Sequence, residues 1–513
     1  MTAKIPEGWE SIADGNSISS EVSYGQKIQS WKNPYQSDGL MFMAAPFVVG
    51  HVKANEIDVY CYFFEEDTSL FETYLPATAE YVKMYSDMIG PYPYERFTVA
   101  ENFFPTGYGM PAWTLLGQQV IRLPFIVMTS LGHEVLHNWW GNSVYVDYER
   151  GNWCESATVY GADYRYKLQR SSDAAKTYRK DILKQYVNYV TEDNDFPIRN
   201  FINRTSPETR TIGYNKAMMV YHMIEEEIGT KPFFEAWKLV NTKHQEQKIS
   251  WEEWVAAFEE TSGKDLSHII PQWIEQDGAP ILDLKLNDAS EKYVDFTLLE
   301  KSGQNYRLEV PIHFDSGFDT TVILNSPSSS FSMKLAQKAN SISVDPDLHL
   351  FRRLYPVEIE PILSAALGNK NKLFFSDDDP THFKTFGNNV TESEIAIHPT
   401  QDILSQNKNS LPIVLNLKEL PTFISERIEL TDETITIAGK SYSKSGHTFI
   451  LTGQNWNGYK NVLLLLSDNF ESLPRIGQLV PHYGKYSYLI FKGSKNVGKG
   501  QWDVTYSPLM KLL

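Results

Sequence analysis

Hydrophobic and polar positions change period several times along this chain, and each change marks an element. Residues 1 to about 65 read as turns and strands, ending in GLMFMAAPFVVGHVKANEIDVYCYFF, which has the β-branched and aromatic content of a sheet. From Ser69 to Ile89 the period lengthens, with Leu75, Tyr81, Val82, Tyr85 and Met88 on one face. This predicts a helix that Gly-Pro-Tyr-Pro at 90 to 93 ends. FTVAENFF is a strand candidate leading into PTGYGMPAWTLLG. Further on, SSDAAKTYRKDILKQYVNYVTED reads as a helix with Ser171 or Ser172 as its N-cap. Trp251, Trp254, Val255 and Phe258 mark the buried face of another helix, read as core without chemistry. Residues 281 to about 355 alternate as strands, interrupted by a Ser-rich turn, SPSSSFS, and predict a small β-sandwich. Beyond Pro356, a helix near Val357 to Leu367 and the apolar runs KLFF, PIVLNL, HTFIL, VLLLL and YSYLIF predict a compact α/β domain.

The stretch that carries chemistry is HEVLHNWWGNSVYVDYERGNWCE, from His133 to Glu155. His133 and His137 are four residues apart with neither Gly nor Pro between them, so a helix places both imidazoles one turn apart on one face. Glu134 lies between them. This HExxH arrangement offers two nitrogen ligands to a tetrahedral Zn²⁺ and a carboxylate to take a proton from the attacking water. A catalytic site needs a third donor, and Glu155 arrives early in CESATVYGADYRY, whose Ala, Val and Tyr positions fit an amphipathic helix. A plain pair of helical histidines capped by acids would leave the position of Glu155 unexplained.

HEVLHNWWGN followed by Glu155 resembles the zinc signature of the alanyl-aminopeptidase and leukotriene-hydrolase family of gluzincins. The resemblance covers residues 66 to 280 and implies a thermolysin-like catalytic domain there. The spacer from His137 to Glu155 is one residue shorter than usual, and Ser156 stands where Gly is common. A loop around Tyr148 to Gly151 that absorbs the difference keeps Glu155 as the ligand, with Glu149 a poorer substitute. In the family a Gly-rich edge strand lies along the substrate backbone and supplies a Glu for its free amino group. Here Gly107, Tyr108, Gly109 and Met110 would line the peptide, but Pro111 stands where that Glu belongs, followed by Ala112. Proline offers neither carboxylate nor N–H, so the resemblance does not carry the amino-group anchor; the other reading of this stretch is an ordinary Gly/Pro turn. RTIGYNKAMMVYHMIEEEIG resembles the family's Tyr-Glu-Lys-Gly segment, with Asn215 and Ala217 replacing its Glu and Gly. By that match Tyr214 donates a phenolic O–H to the oxyanion of the tetrahedral intermediate.

Composition narrows the classes. With 513 residues, 42% hydrophobic and 13% aromatic, the chain can form several packed cores. A formal charge of −17 argues against nucleic acid or an anionic membrane as partner. No apolar run is long enough to span a membrane, and MTAKIPEGWESIADGN lacks a signal pattern, so the chain as written is soluble without an export address. The family's large β-rich front domain is represented only by its last part. Localisation is therefore cytoplasmic as written, or extracytoplasmic if the start has been trimmed. Cys61 and Cys154 read as buried thiols, GSKNVGKG as a hairpin turn despite its likeness to a phosphate-binding loop, and Asp377 to Asp379 as a solvated turn.

The expectation is a multi-domain α+β protein. It comprises a remnant β domain (1–65), a thermolysin-like zinc domain (66–280), a small β-sandwich (281–355) and a C-terminal α/β domain of unassigned role (356–513). One Zn²⁺ per chain would sit on His133, His137 and Glu155, with Glu134 and Tyr214 catalytic and a peptide as substrate. Oligomeric state is open. The activity expected is that of a zinc metallopeptidase, aminopeptidase-like. The alternatives are a zinc peptidase that needs no free N-terminus and a non-catalytic peptide-binding protein.

Overall fold

A five-stranded sheet carries the region of interest, in the order Val48–Ala54, Ile57–Phe63, Arg96–Asn102, Trp113–Gly117, Gly107–Met110. These positions come from a computed structural model that describes every residue except Asp38, Pro105, Thr106 and Thr505. The first two residues of the Gly-rich stretch PTGYGMPAWTLLG therefore lie outside the described residues. Arg96–Asn102 is buried at all seven positions, as befits a central strand covered on both faces, and runs parallel to both neighbours. Gly107–Met110 turns back antiparallel on Trp113–Gly117 and forms the sheet's edge, the reversal passing through Ala112 at φ 72°. The sheet also crosses the boundary expected at residue 65, because Ile57–Phe63 pairs with Arg96–Asn102.

The helix expected from Ser69 is Phe71–Ile89, preceded by a 3₁₀ turn at Glu65–Leu70 and ended at Gly90. Ser171 caps Ser172–Tyr189, its hydroxyl accepting from the Ala174 N–H at 3.0 Å. Below the HExxH segment lies an aromatic core. Trp140 is fully buried, with its ring centroid 5.0 Å from Trp254, 5.4 Å from Trp237 and 6.0 Å from Trp153. Trp251, Trp254, Val255 and Phe258 are all buried in the helix Trp251–Ser262, which is the packing face their spacing indicates.

Residues 282–344 form two sheets. One holds Leu282–Ala289, Tyr293–Glu300 and Ser328–Lys334; the other holds Phe318–Leu324, Leu308–Phe314, Ser341–Val344 and Met510–Leu512. Ser326 and Pro327 of the serine-rich stretch form a bend, and from Ser328 the chain is a strand. That strand pairs with Tyr293–Leu299, because Phe331 packs on Phe296 at 5.5 Å and Ser330 hydrogen-bonds Thr297 at 2.9 Å.

The chain forms two compact units, residues 1–353 with 509–513, and residues 354–508. The last residues belong with the first unit because Met510–Leu512 pairs with Ser341–Val344. The second unit is built on a seven-stranded mixed sheet with apolar clusters on both faces. Helices Thr381–Thr391 and Leu473–Leu479 supply Phe383, Phe386, Leu473 and Ile476 to one of those clusters. The helix expected over Val357 to Leu367 is reduced to a 3₁₀ turn at Pro356–Glu358 and a short helix, Leu363–Leu367, since Pro361 between them cannot donate to a helical ladder. GSKNVGKG is the turn and second strand of a hairpin pairing Tyr488–Lys492 with Lys495–Gly500. Asp377 and Asp379 accept backbone N–H groups of Thr400 and Thr381 in turns. No helix among the described residues is long and apolar enough to cross a membrane.

Candidate metal centre

Ser130–Leu136 is a short helix with His137 as its C-cap, so the two histidines stand one turn apart, Nε2 to Nε2 at 3.2 Å. Glu155, the second residue of the helix Cys154–Val159, brings Oε2 to 3.6 Å from both. The loop at Tyr148–Arg150 is a 3₁₀ turn in which Glu149 is exposed, and Glu149 is not one of the three clustered donors.

Both Nδ1 atoms face acceptors. His133 Nδ1 lies 2.8 Å from Asp163 Oδ2, and His137 Nδ1 lies 3.1 Å from the Trp140 carbonyl. Hydrogens on those nitrogens leave the two Nε2 lone pairs and a carboxylate oxygen facing one another, three acceptors without a donor. A cation in the middle resolves that conflict. The edges of the triangle also bracket the ~3.3 Å separation of ligand atoms in a tetrahedral site with ~2.0–2.1 Å bonds. Electrostatics point the same way. Burial opposes charge on His133, but Asp163 and then Glu155 outweigh it and raise its pKa to about 9. Burial likewise works against the Glu155 carboxylate, yet the two imidazoles hold it well below the ordinary range.

Glu134 is half-buried beside the ligands, and burial raises its pKa against the pull of the two imidazoles. Gly109 on the edge strand faces it closely: a Cβ there would sit 2.7 Å from Glu134 Oε2 and 3.3 Å from His137 Cβ. Asn138, immediately after the second histidine, accepts the Ala112 N–H at 2.8 Å and donates to the Val135 carbonyl at 3.0 Å. It thereby ties the turn of the edge strand to the ligand helix.

Tyr214 lies in a π-helical segment, Thr211–Lys216, and is half-buried with its ring edge-on to Phe201 at 5.8 Å. Burial and then the Glu155 carboxylate raise its pKa, so the phenol keeps its proton. Tyr214, Glu134, His133, His137, Glu155, Gly107, Tyr108 and Gly109 all line one cavity of about 570 Å³. Met110 is not on that cavity; it is buried and borders an adjoining one of about 620 Å³, together with Pro111 and Asp14.

Sequence reasoning missed several residues here. Asp163 orients His133 from eight positions beyond Glu155, in a π-helical turn at Tyr160–Tyr164 whose wider winding no spacing rule anticipates. Cys154, read as a buried thiol and buried here, places its Sγ 3.4 Å from His137 Nδ1. Arg204 and Arg210 also line the cavity, with no motif to flag them. Asp14 accepts from Trp113 Nε1 and from the Met41 N–H, both at 2.9 Å, and burial raises its pKa.

The peptidase family M1 domain matches residues 118–273. Among curated proteins, the chain is 24% identical over 259 residues to an alanine/arginine aminopeptidase of Saccharomyces cerevisiae, covering 46% of this chain and 30% of that one. It is 23% identical over 274 residues to human glutamyl aminopeptidase, covering 49% and 28%. With the aminopeptidase N of Escherichia coli it shares 28% identity over 170 residues, covering 32% and 19%. The chain thus spans about a third or less of the length of the curated relatives it matches. Over residues 118–273, which hold His133, His137 and Glu155, the chain is thus similar to the peptidase family M1 domain.

Proposed function

We propose that the chain is a zinc-dependent, aminopeptidase-like peptidase, with His133, His137 and Glu155 holding one Zn²⁺. The observation that carries this reading is the set of three mutually facing acceptor atoms, within 3.6 Å of one another, beside Glu134 and an edge strand. When bound, Zn²⁺ supplies Lewis acidity and draws the pKa of a water towards ~7. Glu134 takes the proton of the attacking water and passes it to the leaving amine nitrogen. Its burial keeps the carboxyl basic enough to hold that proton between the two steps. Tyr214, still protonated, donates its O–H to the developing oxyanion. The backbone of Gly107 to Met110 receives the substrate as an added strand, Gly109 allowing it close to Glu134.

The proposed domains are a front β remnant whose last strands join the catalytic sheet, a thermolysin-like catalytic domain to 280, a β-sandwich to 355 that takes its outer strand from Met510–Leu512, and an α/β domain over 356–508. An amino-group anchor is supported by Asp14. It is a buried carboxylate that borders the cavity at Pro111, and its neighbour Gly15 donates its N–H to the Pro111 carbonyl at 2.9 Å. Pro111 itself favours a second reading, a zinc peptidase that needs no free N-terminus, because it brings no carboxylate to the strand.

Hydrolysis of short peptides, free or N-acetylated, by zinc-loaded protein separates the two. Stepwise cleavage abolished by acetylation is the expected result, with Glu134→Gln inactive on both sets. Cleavage that tolerates acetylation establishes the second reading. Equal activity of wild type and Glu134→Gln removes the peptidase assignment.

A further inference from the structure

A second triad of potential ligands lies away from the proposed zinc site. His222 and Glu226 are one turn apart on the helix Ala217–Ile228, and His349 comes from the loop after Ser341–Val344. His222 Nε2 is 3.1 Å from His349 Nδ1, and Glu226 Oε1 is 3.3 Å from His349 Nδ1 and 3.8 Å from His222 Nε2. We propose that His222 Nε2, His349 Nδ1 and Glu226 Oε1 form a second site for a divalent cation of the zinc class, clipping the 345–350 loop to the helix that continues from the Tyr214 segment.

The dimensions carry the argument first. Three donors around one tetrahedral ion with ~2.0–2.1 Å bonds stand ~3.3 Å apart, and this triangle brackets that length as the one at His133, His137 and Glu155 does. The donor chemistry agrees, since two imidazoles and one carboxylate suit zinc more than calcium or magnesium. His222 Nδ1 lies 3.3 Å from Tyr164 Oη, an oxygen that can accept its hydrogen and leave the Nε2 lone pair turned to the other two groups.

Glu226 is the middle of three consecutive glutamates, and its neighbours are committed elsewhere. Glu225 pairs with Arg165, and Glu227 pairs with Arg307 and His268. Glu226 instead has the two histidines as its ion-pair partners. The loop that presents His349 is also held in shape. Asp345 accepts the His349 N–H at 2.7 Å and the Arg352 Nε–H at 3.1 Å, while Asp345 and Leu348 both adopt left-handed backbone angles, φ 48° and 58°. Non-glycine residues keep such angles only where their surroundings enforce them. The side chain of Glu226 is half exposed, so an ion can enter and a water can complete its coordination.

The test is a metal count on the full chain, stripped with chelator, dialysed against Zn²⁺ and measured by elemental mass spectrometry, with circular dichroism to verify folding. Wild type should bind two Zn²⁺ per chain and His349→Ala one. Glu226→Gln should bind the second ion more than about tenfold more weakly. His137→Ala should also fall to one, by losing the other ion; if it alone keeps two, the assignment of the first centre fails while this one stands. One ion in wild type that folded His349→Ala retains, or two ions in folded His349→Ala, overturns the proposal. Should His349→Ala not fold, unchanged affinity in Glu226→Gln overturns it instead.

Discussion

Gly109→Ala tests whether the edge strand sets the position of Glu134, the proposed general base. The new Cβ would lie 2.7 Å from Glu134 Oε2, where ordinary contact begins at 3.4 Å, so the carboxylate must retreat by about 0.7 Å. Glu134 is a flexible side chain and can move, which spares the fold; the backbone at 109 also has no left-handed angle that alanine would resist. Alanine should instead add ~0.4–1 kcal/mol of stability by restricting the unfolded chain. Displacing a catalytic group by most of an ångström costs on the order of 10- to 100-fold in rate, or ~1.4–2.7 kcal/mol of barrier. Gly107→Ala is the internal control, because among the described residues its Cβ would meet only Leu116 Cδ2, at 3.6 Å. The assay is steady-state cleavage of a peptide by both variants, with zinc content and melting temperature measured alongside. The expected pattern is a fall in kcat for Gly109→Ala with zinc retained, and near wild-type kcat for Gly107→Ala. Equal kcat for the two variants, with zinc bound in both, refutes the placement of Glu134 beside this strand.

Asp163→Asn removes the charge behind His133 and should weaken zinc affinity about 10- to 100-fold, read by competition with a chromogenic chelator; unchanged affinity would dissociate Asp163 from the centre. Glu101, fully buried in the central strand, has its pKa raised to about 7 by burial. A raised folded-state pKa contributes stability that is complete below the unfolded value of 4.5 and is lost as pH climbs through 7. Glu101→Gln, which mimics the neutral acid at every pH, should therefore match wild type at pH 4 and exceed it at pH 8 by up to about 3 kcal/mol in denaturant unfolding. A constant offset at both pH values would show that Glu101 is not the titrating group.

The clustering of His133, His137 and Glu155, the proposed ligands, was the most legible part of the sequence. The period of an α-helix alone places His133 and His137 together, and one helical donor after a loop completes the triangle with Glu155. Tyr214 was reachable only through its resemblance to a known segment, since a π-helical turn obeys no common spacing. Asp163 and Asn138 stayed hidden for a related reason: their roles depend on which atom they meet across the fold, and an acid or amide near a motif carries no such address. Pro327 and the serines of 326–330 signalled a turn, and Ser326 and Pro327 do form a bend, but Phe331 opposite Phe296 made the stretch from Ser328 a strand; there a cross-strand partner outweighed local composition. Pro361 divided the helix expected near residue 360 because its ring cannot serve a helical ladder.

The pairing of Met510–Leu512 with Ser341–Val344 has a consequence for the order of assembly. Ser341 meets Leu512 across a chain separation of more than 150 residues, nearly all of which belong to the second compact unit. During synthesis the outer strand of that sheet emerges last, so the sandwich waits with an open edge while the inserted unit is made. If that unit folds first, it gathers the intervening chain and replaces a long flexible loop by a compact one, which lowers the entropy lost on closure. The inserted unit then serves the sheet as a folded spacer, and damage to its core would appear as slow completion of a sandwich whose own sequence is intact.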